Sequence, residues 1–513
     1  MTSTGPQPNG PYSGSTLLAP PNYSSLSVAN PPLYPSTVEY DIASILTSEG
    51  PSPPLRTHEY HLSEGANATP WATLHLSSTA PRNAHRPRYI GGDDVSGTVN
   101  LNLKNASAIS SIRLLLRGTM ITSSLVEGSY RFLEESIPIW DKSTNSPPVH
   151  KENGKLVGKY EWPFSFPFPT EYIPPTAGAS PANKGSTACP VPQTLMQKNV
   201  SASVVYEVVL RIVSGIFKRK FKLQTSILYI PLNRSAPLLE GRKNAYKNGA
   251  FIPGPLADPD GWTKLPDLEI AVTRRRKSVG SSSSKTGASS AGPQDKVICS
   301  IYIGNPTEYA RGSVIPCYLM YGNGKEDAEL IQAFKSQAQR CLKLELKQSL
   351  TYFQNPQQAM SGAVFKLQKS GHSNSYTVGQ VDIVGEAVWW DPPYDAWTTK
   401  GPENKLEGEI HLDKELFPST KASFLLVEYV VSASLVPSED LEFTVLNDAG
   451  PEAATSSKSV DTPTKDLSTH GVVITTVNAD GPMPIPFTPV QPKIRRPDQV
   501  VDVEYLVPGP TRY

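Results

Sequence analysis

The 513-residue chain has no run of about 18 apolar residues, so a membrane-crossing helix is not expected. Its opening, MTSTGPQPNGPYSG, has neither a basic start nor an apolar stretch behind it, and a secretory leader is not expected either. Cysteine is scarce: Cys189, Cys299, Cys317 and Cys341 show no C-x-x-C spacing and no histidine partner at metal-ligand spacing. They are expected as buried free thiols of a reducing compartment, with no metal and no cofactor. Neither sign of charge is in excess. The formal net charge of +1 gives no global attraction to nucleic acid or to an anionic membrane. No G-x-S-x-G, H-E-x-x-H, P-loop or G-x-G-x-x-G pattern occurs, so no catalytic residue is nominated. The histidines form no ligand series. His58 and His61, three apart, are expected at the surface of a loop or edge strand.

What the chain has is proline, 50 residues against 36 glycines, together with blocks of aromatic and β-branched residues. That mixture points to β domains separated by solvated segments. Residues 1–57 are rich in Pro, Ser, Asn and Tyr with hardly any charge, and are expected to be a disordered tail. From residue 58 the apolar residues alternate. Val99, Leu101 and Leu103 share one face of a strand, Ile112, Leu114 and Leu116 one face of the next, which Gly118 is expected to end. Tyr160–Pro169, YEWPFSFPFP, suits an edge strand or an extended segment, because each proline removes a ladder donor. Val204, Tyr206, Val208, Leu210 and Ile212 mark a long strand, as do Leu425, Val427, Tyr429, Val431, Ala433 and Leu435 near the other end. A helical turn is expected within Lys325–Gln339.

Many short strands with little helix predict an all-β protein of two tandem β-sandwiches. The expected boundaries are 58–235 for the first, 236–262 for a connector and 263–490 for the second. Within the second lie a Ser-rich loop at 278–293 and a polar insert at 449–470, and 491–513 forms a C-terminal tail. The halves echo each other. Tyr89-x-x-Gly92 corresponds to Tyr309-x-x-Gly312, and Phe166-Pro167 to Phe417-Pro418, each ahead of a strand with a central tyrosine. Duplication and chance both account for this.

The sharpest motif is a pair of PPxY sequences, Pro20-Pro21-Asn22-Tyr23 and Pro31-Pro32-Leu33-Tyr34. Adjacent prolines pre-set a polyproline II helix, whose low entropy suits the aromatic grooves of WW domains; the tyrosine fills a second pocket. Tyr23 and Tyr34 stand 34 − 23 = 11 residues apart. That is up to roughly 34 Å of extended chain, enough for one tail to engage two WW domains. Pro392-Pro393-Tyr394 lacks the spacer and reads as structural. Arg274, Arg275, Arg276 and Lys277 precede Ser278, a candidate phosphoacceptor for a basophilic kinase and then for a phosphopeptide-binding adaptor. The same run also fits a solvated strand end or a contact with anionic lipid. FKRKFK at 217–222 places Lys218 and Lys220 on the wet rim of a strand, where they are candidates for an acidic or lipid contact.

Several segments in order resemble the arrestin-like proteins, closest to the fungal-type α-arrestins that bear PPxY motifs. They are RPRYIGGDDVSGTVNLNL at 86–103, SSIRLLLRGTM at 110–120, YEWPFSFPFP at 160–169, SASVVYEVVLRIV at 201–213, ARGSVIPCYLMY at 310–321 and LFPSTKASFLLVEYVVSASL at 416–435. The resemblance implies that the two sandwiches are immunoglobulin-like, of the arrestin type, and implies residence in the cytoplasm, with transient presence at plasma membrane and endosomes through peripheral association only. It implies an adaptor that joins cytosolic tails of membrane transporters or receptors to a WW-domain HECT-type ubiquitin ligase, for ubiquitination, endocytosis and sorting. The alternative is an arrestin-fold scaffold that works without a ligase. In many α-arrestins the PPxY motifs lie in the C-terminal tail; here they lie near the start of the sequence.

Overall fold

The computed structural model describes residues 55–63, 68–81, 84–174, 188–197, 200–215, 217–274, 295–322, 334, 337–361, 377–392, 404–436, 441–446 and 466–489. The PPxY motifs, Arg275–Ser278, the Ser-rich loop at 278–293, Pro393-Tyr394 and most of the polar insert lie outside the described residues.

The protein is almost entirely β. In chain order the first strands are β1 (Arg56–Leu62), β2 (Ala72–Ser78), β3 (Arg88–Ile90), β4 (Asp94–Ser107), β5 (Ile109–Ile121) and β6 (Ser129–Asp141). β7 (Leu156–Pro167), β8 (Glu171–Tyr172), β9 (Cys189–Pro190), β10 (Leu195–Met196), β11 (Ser203–Ser214) and β12 (Arg219–Ile230) follow. One sheet runs β1-β2-β4-β7 and another β3-β12-β11-β5-β6, with β10 beside β11. Period-2 alternation aims Leu74, Leu76, Val99 and Leu101 of the first sheet, and Leu114, Leu116, Val208 and Leu210 of the second, into one apolar core. β7 is bonded only to β4, the edge position that its prolines require.

A helix, α1 (Glu240–Asn248), stands in the expected connector, and Trp262 at the end of that stretch already opens β13 (Trp262–Lys264). Then come β14 (Leu268–Arg274), β15 (Asp295–Gly304), β16 (Glu308–Ala310), β17 (Val314–Gly322), β18 (Leu342–Phe353) and β19 (Thr377–Trp390). β20 (Lys405–His411), β21 (Thr420–Lys421), β22 (Leu425–Leu435), β23 (Leu441–Val445) and β24 (Ser468–Thr475) complete the set. These strands pair among themselves in one curled sheet, β16-β24-β22-β18-β19-β20-β17-β15-β14-β23. β19 makes the corner: residues 377–386 pair with β18, and Ala387–Trp390 pair with β20. Most of Lys325–Gln339, where a helical turn is expected, lies outside the described residues; 337–339 are helical, and the turn runs on to 341, with Ala338 and Cys341 buried.

Several expectations are corrected. Gly118 does not end its strand; β5 continues to Ile121 with an irregularity in its pairing at Gly118/Thr119. A Cβ there would lie 2.7 Å from the Phe132 ring and 2.9 Å from the Tyr206 ring, so the glycine makes room for aromatics. His58 is not a surface residue. It is 6% exposed, with Nε2 3.2 Å from Ser78 Oγ, whereas its neighbour His61 is exposed. An edge strand therefore still buries one face.

The echo between the halves is also relocated. Tyr89 and Tyr309 both lie in short strands paired in parallel, β3 with β12 and β16 with β24. Gly92 and Gly312 follow with φ of +98° and +78°, a conformation that favours glycine. Tyr206 Oη donates to Pro192 O at 2.6 Å, and Tyr429 Oη to Phe417 O at 2.5 Å. The counterpart of Phe417-Pro418 is thus Pro192-Gln193, ahead of β10, rather than Phe166-Pro167. β10 pairs with the start of β11 as β21 pairs with the start of β22.

The halves meet through an aromatic cluster. Phe424, fully buried, lies 4.7 Å from Phe132, 5.6 Å from Tyr130 and 5.9 Å from Tyr172 between ring centroids. Tyr172 Oη stands 2.8 Å from Ser423 Oγ and accepts from the Ser423 amide at 3.0 Å. Polar contacts extend the junction: Thr122 Oγ1 donates to Gln354 O at 2.7 Å, and Arg311 donates to Gln193 Oε1 at 3.0 Å.

Candidate functional site

Of the residues nominated from sequence, Arg274, Lys218 and Lys220 fall among the described ones. Arg274 closes β14, in register with Leu441 of the edge strand β23. Lys218 and Lys220 belong to the hairpin joining β11 and β12, whose last pair is Ser214 with Arg219. The structure does not bring Arg274 together with either lysine: β14 belongs to the curled sheet, and the hairpin to the sheet of β3, β5 and β6.

The hairpin is built from local chemistry. Gly215, at φ +78°, and Lys218, at φ +51°, turn the chain, and the Lys218 amide donates to Gly215 O at 3.2 Å. The Gly215 amide donates to Ala108 O at 2.7 Å, which fixes the tip to the β4–β5 connection. Strand alternation then sets two phenylalanines apart. Phe221 is half-buried, edge-on to Trp71 at 5.0 Å, with the Arg219 guanidinium 4.7 Å above its ring. Phe217 is 99% exposed.

Register brings more cations to the same sheet. Lys222 of β12, Arg211 of β11 and Arg113 of β5 are direct cross-strand neighbours. Like charges in that relation repel and cost stability. None of the three has a carboxylate within ion-pair distance among the described residues. Asp141, near Arg113, has its carboxyl held below the ordinary value, chiefly by hydrogen bonds from Ser143 and to a smaller degree by Arg113. Sequence reasoning found Lys218 and Lys220 as a run. It missed Arg211 and Arg113, which are distant in the chain and meet only through the register.

A second feature was not anticipated: a cavity of about 220 Å³ whose lining includes Trp262, Tyr318, Trp390, Phe251, Phe487 and Glu409. Each wall has an evident support. The Trp262 indole donates to Pro253 O at 2.8 Å, and Trp390 stacks on Phe487 at 4.7 Å. α1 is held by Arg242, only 2% exposed, which donates to Asn305 O at 3.0 Å and to Gly261 O at 2.6 Å and lies over the Trp262 ring. Burial lowers the pKa of this guanidinium.

Glu409 accepts from the Phe487 amide at 3.0 Å, the Thr488 amide at 2.7 Å and the Thr488 hydroxyl, and His411 Nε2 lies 2.9 Å away. With its oxygens so occupied, the carboxylate anchors the 479–489 segment and is poorly placed to act as a base. The only sequence signal was the alternation of proline with apolar residues in PMPIPF at 482–487.

Cys189 is half-buried; Cys299, Cys317 and Cys341 are buried, and none of the four is in a disulfide. Burial pushes the Cys299 thiol up to about 12 and raises that of Cys317 as well. No group of three or more His, Cys, Asp or Glu side chains able to hold a metal converges among the described residues, and no described helix is long and apolar enough to cross a membrane. Comparison with protein-family models and with curated proteins finds no match to this chain.

Proposed function

We propose that this protein is an arrestin-like adaptor that holds a WW-domain ubiquitin ligase beside a membrane-protein cargo. One observation carries the reading: two PPxY motifs, Pro20–Tyr23 and Pro31–Tyr34, stand close together ahead of a β-rich body whose first strand begins at Arg56. The prolines supply a stiff ligand and the tyrosines its specificity. The pairing pattern supports the body's part in the reading. Strands from Arg56 to Ile230 and strands from Trp262 to Thr475 pair within two separate sets, as a tandem of sandwiches requires. Repeated construction around Tyr206 and Tyr429 supports it further.

In this mechanism the adaptor performs no bond chemistry. The body engages the cytosolic tail of a transporter or receptor, the PPxY segment engages the ligase, and effective concentration drives ubiquitin transfer to the cargo. Cytoplasmic residence, with recruitment to plasma membrane and endosomes, belongs to the same proposal.

The test is calorimetric titration of the full chain with a tandem-WW ligase fragment. Tyr23→Ala and Tyr34→Ala are each expected to weaken binding by at least about tenfold, through loss of bivalency, and the double variant to abolish it. A double variant that binds as tightly as the wild type would overturn the reading.

A further inference from the structure

The tip of the β11–β12 hairpin presents an aromatic ring that the fold does not use. Phe217 is 99% exposed, although burying such a side chain is worth roughly 1.5–3 kcal/mol in general. Phe221, four residues on, is packed against Trp71. The difference comes from the turn: Gly215 and Lys218, both at positive φ, project the tip beyond the end of the ladder. The run 214–222 reads SGIFKRKFK, without an acidic residue.

Cations surround that tip. Lys218, Arg219, Lys220 and Lys222 are exposed, and register adds Arg211 and exposed Arg113 behind them on the sheet. Three like charges side by side across strands oppose folding, and within the protein they are not matched by carboxylates at ion-pair distance among the described residues. An anionic partner would relieve that repulsion.

The shape selects which partner. Binding sites for small ligands and side chains are concave. Phe217 stands on a convex tip, where a rigid protein partner would need a pocket of its own. A fluid interface needs none. Aromatic rings settle at the headgroup level, and basic residues nearby are drawn to anionic lipid.

We infer that the β11–β12 hairpin is a membrane-docking tip: Phe217 enters the headgroup region of an anionic bilayer while Lys218, Arg219, Lys220 and Lys222 contact lipid phosphates and carboxylates. The inference goes beyond the ligase reading and does not need it. It would place the body against the bilayer by one defined edge.

The experiment is flotation of the full chain with phosphatidylcholine vesicles, with and without phosphatidylserine. Binding is expected only with phosphatidylserine, and it weakens as salt rises. Phe217→Ser lowers the affinity about tenfold. Lys218→Gln with Lys220→Gln lowers it about 25-fold, at about fivefold per cation. Tyr23→Ala/Tyr34→Ala leaves it unchanged, which separates this inference from the ligase proposal. Because Phe217, Lys218 and Lys220 are exposed, thermal midpoints of their variants stay at the wild-type value. Equal binding to both vesicle types overturns the inference, as does full affinity in Phe217→Ser. So does tight binding of a polyglutamate peptide that needs Lys218 and Lys220 when vesicles are not bound, since the occupant would then be an acidic protein segment.

Discussion

At the scale of single residues, two positions defy their local sequence. Gly118 looks like a strand terminator, yet its missing side chain is what lets Phe132 and Tyr206 close over β5. Gly118→Ala is expected to cost about 1–3 kcal/mol by overpacking, read from urea denaturation midpoints. A change below about 0.5 kcal/mol, the level of ordinary surface substitutions, would show that the rings yield freely. His58 has its pKa lowered from 6.5, first by burial and then by the charge of Arg56. The unfolded chain therefore takes up the proton first as pH falls. The stability of the neutral buried ring is fully present above about 6.5 and is lost as pH falls through the lower folded value. Denaturation curves between about pH 7.5 and about pH 5 should show this loss in the wild type and a shallower one in His58→Gln. Identical slopes would remove His58 from the account.

At the scale of elements, β19 decides how the second half closes. One strand serves both leaves, and its turn from β18 to β20 occurs beside Gly385. A Cβ at Gly385 would stand 2.8 Å from Ile410 Cγ2 and 3.5 Å from Leu346 Cβ, so the corner has no room for a side chain. Gly385→Val should destabilise by about 1–3 kcal/mol. Gly471→Ala on β24, where a Cβ meets nothing within 4 Å, should stay within about 0.5 kcal/mol of wild type. Equal effects of the two substitutions would mean that the close approach does not govern the corner.

At the scale of the whole molecule, the two halves are joined by packing as well as by chain. Phe424 belongs to the second half, and its ring neighbours Tyr130, Phe132 and Tyr172 to the first. Phe424→Ala should cost about 3–5 kcal/mol through the lost contacts and the cavity left behind. Calorimetry should then resolve two transitions in place of one, because this ring packs the second half against the first. One transition at the wild-type midpoint would show that the halves couple elsewhere, for example through Arg311 and Gln193.

The all-β character was legible in the residue order. Alternation is a local property of a pleated chain, so Val99, Leu101 and Leu103, or Tyr206, Val208 and Leu210, declare their buried face without reference to any partner. Proline chemistry is equally local, which is why the edge position of β7 and the PPxY motifs could be read directly. The tertiary structure alone decided what depends on residues far apart in the chain. It set Arg113, Arg211 and Lys222 side by side, gave Pro192-Gln193 the place expected for Phe166-Pro167, and assembled a cavity around Trp262, Tyr318 and Trp390. It also left Phe217 bare while packing Phe221. Both phenylalanines sit in the same basic run, and only the turn that lifts one beyond the ladder separates their environments.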